Sequence, residues 1–202
     1  MHNRTLTRAL GATTLTLTLA LTAAACGNED EGSSAATDAS TTEHNDADAA
    51  FASDMLQHHA QALSMVDLTS ERPLDPEVTE LAEQIRDAQA PEIETFTGWL
   101  TDWDEEVPET MGEMDEMDEM EGMDSDMPGM MSAEDMTALA DAPDDEFQTR
   151  WLEMMVEHHT GAVEMAETET EDGQYKPAID LAEDIIASQT AEIEAMEGLL
   201  DS

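Results

Sequence analysis

Basic residues are nearly missing from this 202-residue chain: 6 Lys and Arg stand against 50 Asp and Glu, a formal charge of −44. Nucleic acid is excluded as a partner, because phosphate binding needs Lys and Arg to displace counterions. Docking on anionic lipid through a basic patch is disfavoured for the same reason. One Cys leaves no disulfide framework and no Cys-rich zinc site. Three Trp, one Tyr and three Phe provide little nucleotide-stacking or sugar-binding surface. There is no Gly-rich phosphate loop and no credible nucleophile triad. A length near 200 fits one domain, or one duplicated domain with tails. The excess is in Met, of which there are 16.

The N-terminus reads as an address. Arg4 and Arg8 precede an uncharged stretch, 9–25, with Leu10, Leu15, Leu17, Leu19 and Leu21 before Thr22-Ala23-Ala24-Ala25-Cys26-Gly27. A basic start, an apolar middle and small residues make a secretory signal peptide over 1–25. Seventeen Thr-rich residues are marginal for a membrane span. The Cys after the small residues resembles the lipobox of bacterial lipoproteins, with Ala23 where Leu is usual. That resemblance implies lipidation of Cys26 and anchoring to the outer face of the bacterial cytoplasmic membrane. Ordinary cleavage and an uncleaved anchor are the alternatives. In either export reading the chain works in an oxidising compartment, where free thiols do not last.

Residues 26–46 are Gly, Ser, Ala, Thr, Asp, Glu and Asn without apolar periodicity, the composition of a disordered tether. His44 lies there and carries no ligand expectation. A second low-complexity run sits inside 105–136. It holds Met111, Met114, Met117, Met120, Met123, Met127, Met130 and Met131 among Asp, Glu, Gly, Ser and Pro. The first five recur every three residues, so the stripe would wind around a helix of period 3.6. With Gly112, Gly122, Pro128 and Gly129, the run 111–131 is expected to be a flexible solvated loop.

The remainder, 47–202, is a duplication with repeat one over 47–104 and repeat two over 137–202. At a shift of 100 residues, Met55-Leu56-Gln57-His58-His59 meets Met155-Val156-Glu157-His158-His159. Leu81-Ala82-Glu83-Gln84-Ile85 meets Leu181-Ala182-Glu183-Asp184-Ile185. Each copy reads as two amphipathic helices around a break: Arg72-Pro73-Leu74-Asp75-Pro76 in one, Asp172-Gly173-Gln174 with Pro177 in the other. About 60 residues would bury too little alone, so the halves are expected to share one core. The fold class expected is all-α, an antiparallel four-helix bundle built from two helical hairpins.

On a wheel with Met55 at zero, His58 falls at about −60°, Met65 at about −80°, Ala62 at about −20° and His59 at about +40°. Both His therefore flank the stripe that must face the core, and Met155, His158, His159, Ala162 and Met165 repeat the arrangement. On the second helices Glu92 and Glu192 fall within the apolar face, with Gln89 and Gln189 beside them. A buried carboxylate is costly unless paired, hydrogen-bonded or metal-bound, and the His are the expected partners. One reading is a satisfied polar network that fixes helix register. The other is a metal site, since two duplicated His-His couples with Met at i−3 and i−4 match metal-ligand chemistry.

Carboxylate-bridged di-iron bundles carry Glu-x-x-His on two helices. Here that slot holds Met55-x-x-His58 and Met155-x-x-His158. A thioether in place of a hard carboxylate shifts preference from iron toward soft or borderline metal, Cu(I) foremost. Adjacent His point about 100° apart, so a site would join both copies or each copy would hold its own ion. The Met run could wrap a soft cation as well; otherwise it is an acidic spacer or an oxidant sink.

At these residues the sequence resembles the family known as domain of unknown function 305. Its doubled pattern is an aromatic, then Met-apolar-x-His-His-x-x-Ala-x-x-Met, with Gln-x-x-Glu-Ile on each following helix. Here it spans Phe51 to Met65 with Gln89 to Ile93, and Phe147 to Met165 with Gln189 to Ile193. The Gln usual after the His pair is Ala60 in one copy and Thr160 in the other. The resemblance implies a ferritin-like bundle that is exported or lipid-anchored and binds copper. It implies Met55, His58, His59, Met65, Met155, His158, His159 and Met165 as metal ligands. Gln89, Glu92, Gln189 and Glu192 support them or serve as alternative ligands.

The leading expectation is a binding protein, without turnover, that sequesters or passes on copper: Cu(I) foremost, with Cu(II) or Ag(I) as alternatives. Its partners are metal ions and, through Cys26, the membrane. A ferritin-like oxidase of Cu(I) or Fe(II) and a metal-free helical interaction module are the competing readings.

Overall fold

The computed structural model describes residues 40–109 and 127–202. The signal segment, Cys26, and Met111, Met114, Met117, Met120 and Met123 lie outside the described residues. Four long helices carry the fold: α1 (Asp46–Asp67), α2 (Pro76–Asp102), α4 (Asp144–Asp172) and α5 (Lys176–Leu200). A short fifth, α3 (Ala133–Ala140), precedes α4. The strongest packing runs α2–α1–α4–α5, so α1 and α4 form the central pair. They are antiparallel: Asn45, before α1, donates to the Asp172 carbonyl at the end of α4, while Trp151 near the start of α4 donates to the Met65 carbonyl. The chain is thus an all-α bundle of two hairpins, related by a pseudo-twofold axis between α1 and α4.

The expected breaks are where the hairpins turn. Pro76 opens α2 and Pro177 stands in the first turn of α5, where the missing N–H costs nothing. The shared core follows the duplicated pattern. Met55, Ala62 and Ile85 are buried in one copy, and Met155, Ala162 and Ile185 in the other. One apolar cluster gathers Met65, Val78, Trp151 and Met155, and a second gathers Phe51, Met55, Phe96 and Ala162.

Two expectations need correction. The Met run does not stay solvated to its end, because Met131 is buried and Gln61 pairs with its backbone. The loop 105–136 also contains the start of α3, opened by a capping box between Ser132 and Asp135 and held by buried Met136 and Leu139. His44 is not loose either: its ring stacks on Trp103 at 4.4 Å and 9°. Just upstream, Ser40 exchanges backbone hydrogen bonds with Gln174 and Lys176.

The hairpin turns are tied by equivalent positions. Asp48 is fully buried; its Oδ1 accepts from the Gln174 N–H at 3.0 Å and the Tyr175 N–H at 2.8 Å. Its Oδ2 accepts from the Asn45 N–H at 2.6 Å, completing the α1 capping box. At the opposite end Gln148, one hundred residues on, makes two 2.8 Å hydrogen bonds to Asp75. Asp48→Ala would strand three backbone donors. The expected loss is about 2–3 kcal/mol, read as a lower urea midpoint with faster amide exchange at the α4–α5 turn.

Candidate metal centre

Helix periodicity delivers all four paired His to the interior: His58, His59 and His159 are fully buried and His158 is 1% exposed. The two couples divide their work. His58 and His158 meet across the pseudo-twofold axis, with ring centroids 3.7 Å apart and planes tilted by 38°. His59 and His159 turn to the second helix of their own copy. Each places Nε2 at 2.7 Å from a carboxylate oxygen, of Glu92 and Glu192 respectively. The Glu side chains keep 20% and 16% of their surface exposed, so they lie at the edge of the apolar face and not at its middle.

The acceptors fix the tautomers. The carbonyl of Pro128, 3.1 Å from His58 Nε2, can only accept, so that nitrogen carries the proton. An ionised Glu92 or Glu192 imposes the same on His59 and His159. In the His58 ring Nδ1 is then the lone-pair nitrogen, and in all three rings Nδ1 is buried without a hydrogen-bond partner. His158 leaves both ring nitrogens without a well-formed hydrogen bond. Burial, with neighbouring His59 and His159 acting the same way and the Pro128 carbonyl opposing, lowers the His58 pKa to about 3. Burial likewise holds His158 well below the usual imidazole range. The His58, His159 and His59 rings reinforce it, and a contact with the His58 backbone opposes it weakly. These rings are neutral at physiological pH, the form that binds metal.

The sulfur donors do not all converge. Met65 and Met155 are buried together in one apolar cluster. Met55 lies in the other, with half-buried Met165 packed against it. The thioethers are thus divided between the two apolar clusters. Met165 also lines a cleft of about 140 Å³ with Asp54, Thr168 and Glu169. Gln89 and Gln189 are each 2% exposed, and both atoms of the Gln89 amide and the Gln189 carbonyl lack partners. Among the described residues no group of three or more His, Cys, Asp or Glu is arranged to hold a metal.

Two features escaped the sequence. The backbone of residues 128–131 lies directly against the His pair. Glu169, in the polar run Thr168-Glu169-Thr170-Glu171, is only 2% exposed. Burial first, then a hydrogen bond with the Asp48 carboxyl and the charges of Asp48 and Asp172, raise its pKa to about 9.

A family model described as "Domain of unknown function (DUF305)" matches residues 48–200. The chain belongs to that family. Among solved structures of DUF305 proteins, a putative secreted protein from Streptomyces coelicolor is 34% identical, with a TM-score of 0.66 over 77% of this chain and 92% of that one. A fragment from Deinococcus radiodurans is 28% identical, with a TM-score of 0.65 over 78% of this chain and 97% of that one. CopM in its Cu(I)-bound form is 27% identical, with a TM-score of 0.61 over 76% of this chain and 95% of that one. CopM is also solved in Cu(II)-bound and Ag-bound forms. No curated protein matches the chain.

Proposed function

We propose that this DUF305 protein binds copper, or a similar soft ion, outside the cytoplasm. It sequesters the ion or hands it on, and it is tethered to the membrane through lipidated Cys26. The observation that carries this reading is the His58–His158 contact: two neutral, buried imidazoles meet, and three of their four ring nitrogens lack a well-formed hydrogen bond. Buried polar atoms are ordinarily paired, and an ion bound at the nitrogen edges of these rings, which stand too close at 3.7 Å to hold one between their faces, would supply what is missing. Thioethers from Met55, Met65, Met155 and Met165 suit Cu(I) or Ag(I) in preference to a hard cation. His59 and His159, each steadied by a carboxylate, offer Nδ1 as further donors, with Gln89 and Gln189, three residues before Glu92 and Glu192, as supports. The likeness to CopM solved with copper and silver adds support, as does the secreted relative for location. An oxidase of the di-iron ferritin-like kind would need carboxylates facing the ion, whereas Glu92 and Glu192 are engaged by His59 and His159.

The test is metal analysis of the purified protein with Cu(I) competition titration. Replacing His58, His59, His158 and His159 by Ala is expected to weaken Cu(I) binding by about a hundredfold or more, ~2.8 kcal/mol. Unchanged affinity would reject the core site. Catalysed oxygen uptake with added Cu(I) or Fe(II) would replace binding by turnover.

A further inference from the structure

We infer that residues 127–131 form a strap that completes the His58–His158 site, that its Pro128 carbonyl selects the nitrogen His58 offers to the ion, and that Gly161 is the position that admits it. The inference rests on the metal reading above and assigns positioning roles to residues outside the His and Met ligand set.

Three contacts hold the strap. Gln61 clasps Met131 at two points: the Met131 N–H donates to Gln61 Oε1 at 2.7 Å, and Gln61 Nε2 donates to the Met131 carbonyl at 2.9 Å. Pro128 accepts from His58. Gly129, at φ 73°, packs on the backbone of α4 so closely that a Cβ there would stand 2.7 Å from the Glu157 carbonyl and 2.9 Å from that of His158. The approach is mutual, since a Cβ on Gly161 would be driven into the Pro128 carbonyl and stand 2.6 Å from the Gly129 nitrogen. Only Gly at 161 lets this backbone come so near.

Positions 61 and 161 are equivalent in the duplication. One holds the Gln that clasps the strap and the other the Gly that makes room for it. The two copies diverge where a single segment crosses between them. The consequence for the site is chemical. With Nε2–H held by Pro128, His58 can bind only through Nδ1, in a fixed direction. An oxygen that orients a ligating His in this way is commonly worth about 10–100-fold in metal affinity.

Gly161→Ala tests this in the full-length protein. Ala is the better helix former, so α4 itself is not weakened, while its methyl expels the strap. Gln61→Leu removes the clasp by another route and keeps the inference testable if the first variant folds poorly. Three readouts are compared with the wild type: amide exchange at 129–131, the nitrogen shifts of the His58 ring without metal, and Cu(I) affinity by competition. The inference expects faster exchange, loss of the single Nε2–H tautomer, and Cu(I) binding weaker by about 10–100-fold. A His58 tautomer that persists after the strap is freed overturns it. So does wild-type Cu(I) affinity in a variant whose strap is freed, and in that case the copper reading stands. A wild-type protein that takes up no Cu(I) overturns both.

Discussion

The metal-free double variant His58→Leu/His158→Leu is expected to melt above the wild type and to gain nothing from added Cu(I). Three ring nitrogens of the pair, His58 Nδ1 and both of His158, are buried without partners. Each unsatisfied polar atom costs about 1–3 kcal/mol. Leu is close to His in size and needs no partner, though it leaves the Pro128 carbonyl without its donor. The net gain is expected to be about 2–4 kcal/mol, or ~5–15 °C in Tm for a domain of this size. The wild type should recover the difference when loaded, since an ion at a hundred times its Kd contributes about 2.7 kcal/mol. Thermal scans of both proteins with and without Cu(I) decide the matter. If the double variant is the less stable without metal, the His pair is a structural network that fixes register, and the binding reading loses its main support.

The second large effect is a stability maximum in mild acid for the metal-free wild type. His58 has its folded pKa lowered from 6.5 to about 3. As pH falls through that window the unfolded chain takes up a proton that the folded chain refuses, so stability is lost between about 6.5 and 3. At about 1.4 kcal/mol per unit the loss from His58 is at most about 5 kcal/mol, with His158 acting in the same direction. Glu169 has the opposite sign. Its folded pKa is raised from 4.5 to about 9, so the folded state holds a proton that the unfolded state releases. That contribution is complete below about 4.5 and fades as pH climbs to about 9. The slopes oppose each other between about 4.5 and 6.5; with two His set against one Glu, the maximum is expected toward the upper end of that window. Glu169→Gln should flatten the alkaline side and raise Tm more at about pH 8 than at about pH 5. The double His→Leu variant should flatten the acid side. Denaturant midpoints across pH for the three proteins check both limbs; an alkaline slope that survives Glu169→Gln refutes the assignment.

The sequence was informative where burial follows local period. His58, His59 and their partners in repeat two had to face inward, because Met55, Ala62 and Met65 define the apolar stripe and the His lie on its flanks. The duplication located both hairpins, and the Pro and Gly clusters located their turns. The wheel paired the Glu with the His, although it set Glu92 and Glu192 too deep.

What stayed hidden depends on distant parts of the chain. Nothing near Pro128 announces that its carbonyl meets a ring seventy residues earlier, and the Gly129–Gly161 contact is invisible until both backbones are in place. The acidic run looked uniformly solvated because its composition is uniform up to Met130, while burial begins at Met131. Glu169 stands in a stretch with no apolar signal; its burial comes from Asp48 and the α4–α5 turn. Two local signals were present and unread. Ser132-x-x-Asp135 is a capping box that marks α3, and Asn45-x-x-Asp48 is one that starts α1 at the edge of the tether.

Doubling a hairpin yields two equal halves, but the segment joining them exists only once. Laid across the axis, it must favour one side. Pro128 holds His58 and leaves its counterpart free, so two imidazoles that descend from one ancestral position have become different instruments. One is clamped at a set angle by a backbone carbonyl and the other is positioned by packing. The protein thus fixes which nitrogen one ring of the pair exposes and leaves that choice open in the other.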